Sequence, residues 1–378
     1  MCLGRIFRRE VLTIRFLTSG ESHGKCLNAI IEGIGYGYEL DFDFINNELK
    51  KRQQGAGRGN RMKIETDVIE IKSGVRFSKT TGSPICLEIK NRDFENWKIP
   101  MSVEKFDFDG LDDVQKNEIL EKIKEKKITK VRPGHADYSG AIKFGADDIR
   151  DILERSSARE TATRVAVGAI CQDILKKFGI YGEFEILSVC GADNEKDISE
   201  KIEKAKADGV SLGGIVKVKF TGLPIGLGSF VHWDKRLDGL LAQSMMSIPA
   251  IKSVEIGMGK DVCFNTGDKV HDEFYIIDNK ITRKTNNAGG IEGGMTNGEP
   301  LLITVGMKPI PTMRKPLNSV DIENRTETKA HFERADTSAV YAMGVVALNM
   351  ASIVLLNAFL DKFGGDSYNE TLRNYNAR

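Results

Sequence analysis

The chain has 378 residues, 40% of them hydrophobic, and a formal net charge of +1 from 55 basic and 54 acidic residues. This length is sufficient for a large core, and the balanced charge argues against a protein that binds nucleic acid or a membrane surface, so any basic site must be local. The six cysteines include no C-x-x-C pair, which indicates reduced thiols in the cytoplasm rather than a disulfide framework or a zinc site.

No linker or internal repeat divides the chain. Residues 1–12 form a short segment that begins with basic residues and lacks the apolar run of a signal peptide. We therefore predict that this segment is a poorly ordered N-terminal extension. Residues 13–365 are predicted to form a single domain, and residues 366–378 a C-terminal tail.

The predicted elements alternate between apolar strands and longer helices. Strand-like stretches occur at residues 12–17, 27–34, 67–71, 85–89, 214–220 and 301–305. We predict a polar surface helix over residues 112–127, a helix over 147–177 interrupted near Ser156, and an apolar helix that ends at Phe363 before two glycines. Together these elements predict a mixed, layered protein of helices and sheets.

The apolar helix is long enough to raise the question of a membrane span, because residues 339–360 contain no charged side chain. However, the segment contains Asn349, Ser352 and Asn357 and lacks flanking aromatic anchors. A helix that is apolar on all sides is also typical of a protein core, and we favour a buried core helix here.

His23 lies in the run Thr-Ser-Gly-Glu-Ser-His-Gly at residues 18–24, between two strand-like stretches. Imidazole has an ordinary pKa near about 6.5, so it can donate or accept a proton at neutral pH. The flanking glycines allow a turn and the close approach of a ligand. Taken alone, the motif favours a buried histidine in an ordinary turn over a functional one.

A second segment, residues 50–63, is basic and rich in glycine. Guanidinium groups bind carboxylates and phosphates through two parallel hydrogen bonds, so several of these arginines could converge on one small anion. A solvated basic loop is the alternative. A nucleic-acid surface is less consistent with the segment, which has no interleaved aromatic residues.

Four further segments carry polar groups beside glycine or proline. The run Arg-Pro-Gly-His-Ala-Asp at residues 132–137 contains a second histidine. Residues 154–161 resemble either a phosphate-binding helix start or a simple N-cap. Residues 307–312 contain two prolines, and Arg334 and Asp336 precede the apolar helix.

Together, all of these segments indicate a site for a small, highly anionic ligand, with two histidines and an aspartate that can move protons. No metal-ligand spacing accompanies them, and we predict no metal.

These segments, in this order, resemble the chorismate synthase family from about residue 14 to residue 363. The matching runs lie at residues 20–24, 58–62, 132–137, 154–160, 289–294 and 308–312. The resemblance implies an α+β fold, a β-α-β sandwich with a helical layer between antiparallel β-sheets, in a cytoplasmic homotetramer. It also implies a lyase that removes phosphate from 5-O-(1-carboxyvinyl)-3-phosphoshikimate by anti 1,4-elimination, giving chorismate, with reduced FMN as the cofactor.

The resemblance also implies roles for individual residues. The catalytic group is His23, which meets the departing phosphate, with His135 and Asp336 on the flavin side. The substrate-binding group is Ser22, Arg52, Arg58, Arg61, Arg159 and Arg334. The cofactor-binding group is Ser157, Ala158, Arg159, Ala250, Gly293, Lys308, Pro309, Ile310, Pro311, Thr312 and Arg334.

The sequence departs from the family pattern at Ala335, Thr337, Leu348 and Pro249, and residues 101–127 are longer than usual. These departures leave open a relative that binds flavin or anions but is impaired in catalysis. Some family members also reduce flavin with NADPH, but no large extra segment for that activity is visible here.

Overall fold

The structure is a computed structural model that describes residues 14–59, 65–333 and 336–377. The strands are β1 (Arg15–Ser19), β2 (Cys26–Glu32), β3 (Tyr36–Glu39), β4 (Ile69–Ser73), β5 (Val75–Arg76), β6 (Lys79–Thr81), β7 (Ile85–Lys90), β8 (Tyr181–Val189), β9 (Gly214–Thr221), β10 (Ile251–Ile256), β11 (Phe274–Ile277), β12 (Lys280–Arg283), β13 (Ile291–Glu292), β14 (Met295–Thr296), β15 (Leu301–Met307), β16 (Asn318–Asp321) and β17 (Thr326–Lys329).

The helices include the three segments predicted from the sequence, within a few residues at each end, and several others that were not predicted. They are α1 (Phe42–Arg52), α2 (Asp113–Lys126), α3 (Asp137–Phe144), α4 (Ile149–Ser156), α5 (Thr161–Lys176), α6 (Glu195–Asp208), α7 (Leu237–Met246), α8 (Gly267–Val270), α9 (Val340–Phe363) and α10 (Tyr368–Asn376). Helix α2 buries none of its residues, as expected for a surface helix.

Two four-stranded antiparallel sheets form the outer layers, with strand orders β1-β2-β7-β4 and β10-β15-β9-β8. Successive side chains of a strand point to opposite faces of its sheet. Alternate residues of β9 are therefore buried, namely Val216, Val218 and Phe220. Between the sheets, α5 packs along α9 and against β2, while α9 packs against β8 and β9. This arrangement confirms the α+β sandwich with a helical layer between antiparallel sheets.

Helix α9 is the buried centre of this layer. By length and composition it could cross a membrane, but 83% of its most apolar 18-residue window is buried inside the protein. Two of its polar side chains donate hydrogen bonds there: Asn349 Nδ2 donates to Glu48 Oε2 at 3.1 Å, and Ser352 Oγ donates to Leu348 O at 2.9 Å. The structure therefore places α9 as a core helix.

The predicted interruption of the helix over 147–177 is confirmed. Helix α4 ends at Ser156, and Ser157 is extended, with φ −64° and ψ 141°, before a 3-10 turn leads into α5. The Ser157 hydroxyl accepts a hydrogen bond from Arg159 N at 3.3 Å, which stabilises the new start. The break turns the chain so that residues 157–159 line a cavity.

The segment expected to be a C-terminal tail contains α10. Tyr375 on this helix is buried in the main core, and its hydroxyl donates to Phe178 O at 3.1 Å. The boundary drawn at residue 365 therefore separates α9 from a helix that packs on the same core. The predicted N-terminal extension, residues 1–12, lies outside the described residues.

Candidate active site

One cavity of about 410 Å³ gathers most of the predicted site residues. It is formed by loops from both sheets and by the first turns of α9. The predicted residues that line it are Ser22, His23, Arg52, Arg58, His135, Ser157, Ala158, Arg159, Ala250, Lys308, Ile310, Pro311, Thr312 and Asp336. Motifs up to about 300 residues apart in the sequence thus converge in one place.

Two of the predicted residues that the structure describes do not line the cavity. Gly293 lies in the turn between β13 and β14, and Pro309 lies between two lining residues without lining the cavity itself. Arg61 and Arg334 lie outside the described residues.

His23 is held on two sides. Its Nδ1 is 2.8 Å from Glu154 Oε1, and its backbone N–H donates to Glu154 Oε2 at 2.6 Å. The imidazole also stacks on Trp97, with ring centroids 4.0 Å apart and planes inclined by 24°. The side chain is nearly buried, so the edge that carries Nε2 is the part left for the cavity.

Glu154 is an ionised carboxylate in this arrangement. Its burial opposes ionisation, but the hydrogen bond and charge of His23 and the guanidinium of Arg150 outweigh burial and hold the pKa of Glu154 below its ordinary value. Arg150 Nη1 lies 3.2 Å from Glu154 Oε1 and 2.8 Å from Glu333 Oε1. Arg150 therefore joins two carboxylates behind His23.

Glu333 lines the cavity beside this pair. Burial would raise its pKa, but His331 and Arg150 reverse the effect and lower the pKa of Glu333 to about 2. The cavity wall beside His23 thus carries a fixed negative charge at neutral pH.

His135 belongs to a second buried pair. Its Nδ1 lies 2.6 Å from Asp137 Oδ1, and Asp137 also accepts hydrogen bonds from Arg132 Nε and N at 2.8 and 3.0 Å. Burial opposes ionisation of Asp137, but these hydrogen bonds and charges hold its pKa far below the ordinary range. Arg132 Nη1 in turn donates to Thr312 Oγ1 at 3.0 Å, which connects the loop to the exit of β15.

Arg52 and Arg159 converge on one buried carboxylate. Asp67 Oδ2 accepts from Arg52 Nη2 and from Arg159 Nη1, each at 2.8 Å. Burial opposes the Asp67 charge, but the two guanidinium groups outweigh burial and lower the pKa of Asp67. Arg159 Nη2 also lies 3.7 Å from Glu65 Oε2, and both arginines line the cavity.

Arg58 and Asp336 form the opposite wall. Arg58 Nη1 donates to Asp336 Oδ2 at 2.5 Å, and Gly59 N donates to Asp336 Oδ1 at 2.6 Å. These contacts fix the Asp336 carboxylate at the cavity. They also connect the loop that follows α1 to the segment that precedes α9.

An apolar surface completes the cavity. It consists of Met307 at the end of β15, Ile248 and Pro249, and the first turns of α9, from which Ala339, Ala342, Met343 and Val346 line the cavity. Ala250 has φ +72°, a left-handed conformation, and its carbonyl accepts from Lys308 N at 3.0 Å. The cavity therefore combines an apolar wall with arginines and proton-transfer groups.

The sequence analysis missed several functional residues. Glu154 and Arg132 lie inside recognised motifs but were given no role, whereas Asp67 and Trp97 lie outside them. Trp97 is one of only two tryptophans in the chain, and that rarity is the single local signal available for it. No group of three or more metal-ligating side chains occurs within the described residues.

The fold and the cavity define a class of protein: an α+β enzyme with a site for a small polyanion, flanked by two histidine–carboxylate pairs. A sequence model of the family described as chorismate synthase matches residues 14–360. The chain therefore belongs to the chorismate synthase family.

Similar proteins cover nearly the whole chain. The chorismate synthase of Caldanaerobacter subterraneus subsp. tengcongensis is 49% identical over 363 residues, which is 96% of this chain and 97% of that protein. The chorismate synthase of Thermoanaerobacter pseudethanolicus is 47% identical over 365 residues, covering 96% and 98%. A solved structure, "Crystal Structure of Chorismate Synthase", is 36% identical, with a TM-score of 0.74 and 97% of each chain covered.

These similarities confirm the function implied by the sequence motifs. The chain is an enzyme of the carbon–oxygen lyase class that acts on a phosphate ester and forms chorismate. Nothing in the comparisons favours a relative impaired in catalysis.

Proposed function

We propose that the cavity binds 5-O-(1-carboxyvinyl)-3-phosphoshikimate beside reduced FMN, and that His23, His135 and Asp336 handle the protons of the elimination. The observation that carries this proposal is the convergence of Arg52, Arg58 and Arg159 with both histidines on one cavity. The remaining roles follow from the chemistry of these side chains.

The arginines supply charge for the substrate. The substrate has two carboxylates and a phosphate of charge about −1.5 to −2 at neutral pH, so several guanidinium groups are needed to bind it. Arg52 and Arg159 are oriented by Asp67 and line the cavity, which suits their guanidinium groups to carboxylate or phosphate oxygens. Ser22, Arg58, Arg61 and Arg334 are proposed as the other substrate-binding residues.

The residues present also fit a flavin. The apolar wall of Met307, Met343 and Val346 suits a flat ring system, and the polar groups of Ser157, Lys308 and Thr312 suit its polar edge and phosphate. Reduced FMN, when bound, supplies electron density that assists loss of phosphate and is recovered afterwards, without net redox change. The proposed contacts are Ser157, Ala158, Arg159, Ala250, Gly293, Lys308, Pro309, Ile310, Pro311, Thr312 and Arg334.

In the elimination, the bond between the ring carbon and the phosphate oxygen breaks, and a ring C–H proton is lost. The C–H electron pair forms a new double bond, the existing ring double bond shifts, and phosphate leaves with an electron pair. We assign to His23 Nε2 the proton that neutralises the departing oxygen, because Nδ1 is engaged by Glu154. We assign the ring C–H proton to Asp336, which accepts it on the flavin side, while His135 holds a proton there with its Nδ1 2.6 Å from Asp137 Oδ1.

The assembly, compartment and redox partner belong to the same proposal. We propose a homotetramer in the cytoplasm, which binds neither nucleic acid nor membrane. Whether the enzyme also reduces FMN with NADPH is tested by an assay with oxidised FMN and NADPH under aerobic conditions.

The first prediction tests the site. Under anaerobic conditions, with chemically reduced FMN and the phosphorylated substrate, the wild-type protein should release phosphate and chorismate in equal amounts. His23→Ala should lower kcat by roughly 10²- to 10⁴-fold, the usual contribution of a general acid, with a smaller change in KM.

The matched control for this experiment is His271→Ala, an exposed histidine outside the cavity lining, which should leave kcat unchanged. Absence of product from the wild-type protein would contradict the proposed reaction. A rise in KM alone in His23→Ala would assign His23 to binding and not to proton transfer.

A further inference from the structure

Glu154 touches His23 but is not among the residues that line the cavity. It is 2% exposed, and both of its carboxylate oxygens are occupied: one accepts from the His23 backbone, the other from the His23 ring and from Arg150. Glu154 therefore has no path to substrate of its own. Whatever it does for the reaction, it does through His23.

The contact dictates where the imidazole carries its proton. An ionised carboxylate only accepts hydrogen bonds, so Nδ1 at 2.8 Å must be the N–H donor of the neutral ring. The second hydrogen bond, from the His23 backbone to the other oxygen, fixes the carboxylate relative to the same residue. A ring flip would break the contact between Nδ1 and the carboxylate and leave a buried acceptor without this partner.

Trp97 provides a second constraint on the orientation of the His23 ring, because its own ring stacks on the imidazole face with the two ring centroids 4.0 Å apart. Two cations, Arg150 and Lys126, each lie 4.9 Å from the centre of the Trp97 ring. The edge contact with Glu154 and the face contact with Trp97 leave one orientation for the ring. In that orientation Nε2 is the nitrogen left for the cavity.

We propose that Glu154 is a positioning residue that keeps the His23 proton on Nδ1 and directs Nε2 into the cavity. This inference rests on the proposed role of His23 as proton donor to the departing phosphate. Arg150 contacts the carboxylates of both Glu154 and Glu333, and His331 lies 3.4 Å from Glu333 Oε1, so Glu154 is held in place from the side away from His23 as well.

The direct test uses the flavin-free protein and requires no turnover. The chain has only five histidines, so long-range ¹H–¹⁵N spectra of protein labelled at histidine can be assigned with one variant, His23→Gln. In the wild-type protein the neutral His23 ring should carry its proton on Nδ1. A wild-type spectrum with the proton on Nε2 would overturn the proposal.

The variant for comparison is Glu154→Gln, which keeps the shape of the side chain and removes its charge. We expect a mixture of tautomers, and kcat lower by roughly 10- to 100-fold with KM within about threefold.

Asp151→Asn is the matched control, since it removes an exposed carboxylate from the same helix, α4. It should change neither the tautomer nor kcat. If Glu154 were only structural, Glu154→Gln would lower thermal stability but leave the tautomer unchanged, which would contradict the proposal. If His23→Ala retains full kcat, the proton-donor role fails, whereas the tautomer spectra still decide the role of Glu154.

Discussion

At the scale of single residues, the arginines of the anion site depend on Asp67, a buried acid that does not line the cavity. Asp67 lies between Arg52 and Arg159 and is buried with both of them. Two buried guanidinium groups would repel each other and would each lose solvation, so the carboxylate is required to hold them together. Asp67 thus contributes both to folding and to the placement of the substrate arginines.

We expect Asp67→Asn to destabilise the protein by about 3 kcal/mol, since removing one member of a buried ion pair leaves the others uncompensated. Because the pKa of Asp67 is lowered in the folded state, its contribution is present above the ordinary carboxyl pKa of about 3.9 and is lost as pH falls through the folded value. The stability difference between wild type and Asp67→Asn in urea unfolding should therefore be largest at neutral pH and shrink in acid.

The control is Glu70→Gln, an exposed carboxylate on β4 whose removal should change stability by less than about 0.5 kcal/mol. KM for the phosphorylated substrate should rise in Asp67→Asn and not in Glu70→Gln. Equal stability of the two variants at pH 7 would show that Asp67 does not stabilise the arginine pair.

The sequence identified His23, His135 and most of the arginines, because each lies in a motif whose local chemistry is visible in neighbouring residues. Asp67 could not be identified in this way. Its partner Arg159 is 92 positions away, and only the folded sheet and helix bring them together. The same holds for the stacking of Trp97 on His23, which joins two separate loops.

At the scale of elements, the cavity wall depends on how closely α5 and α9 approach each other. A Cβ placed on Gly168 of α5 would lie 2.3 Å from Asn349 O of α9, so the two backbones are in direct contact there. The first turns of α9 carry Ala342 and Met343 to the cavity, and the start of α5 carries Thr161. A shift between the two helices would therefore change the shape of the site.

We expect Gly168→Ala to destabilise the protein by about 1–3 kcal/mol, because overpacking outweighs the higher helix propensity of alanine. Gly239→Ala in α7 is the control, since a Cβ there meets nothing within 4 Å and the propensity gain of up to about 1 kcal/mol should appear alone. Thermal unfolding measured by circular dichroism checks both. A Gly168→Ala variant as stable as wild type would show that the helices can separate without cost.

The spacing of apolar residues and the positions of helix-breaking residues predicted α2, α9 and the interrupted helix around Ser157. These signals are local, so they can be recognised in the sequence alone. The contact between α5 and α9 could not be predicted, since Gly168 is an ordinary small residue within an apolar run. The interface becomes visible only when both helices are placed between the sheets.

At the scale of the whole molecule, the sandwich is closed at one end by the C-terminal helix. Tyr375 of α10 packs against Phe178, Phe359 and Phe363, with ring centroids 5.2–5.5 Å apart. Thr371 of the same helix accepts from the hydroxyl of Tyr38 at 2.8 Å. The polar composition of residues 366–378 concealed this packing in the sequence, because two buried side chains on a short helix give only a weak pattern.

If α10 is part of the domain core, Tyr375→Ala should destabilise the protein by about 3–5 kcal/mol through the cavity it leaves, as other buried aromatic residues do. Tyr375→Phe keeps the ring and removes the hydroxyl with its hydrogen bond to Phe178 O, so it should cost about 1 kcal/mol. Both variants should retain the wild-type kcat at a temperature where they remain folded, because α10 contributes nothing to the cavity lining. Thermal unfolding of the three proteins measures the difference, and a Tyr375→Ala variant with the wild-type Tm would show that residues 366–378 behave as a dispensable tail.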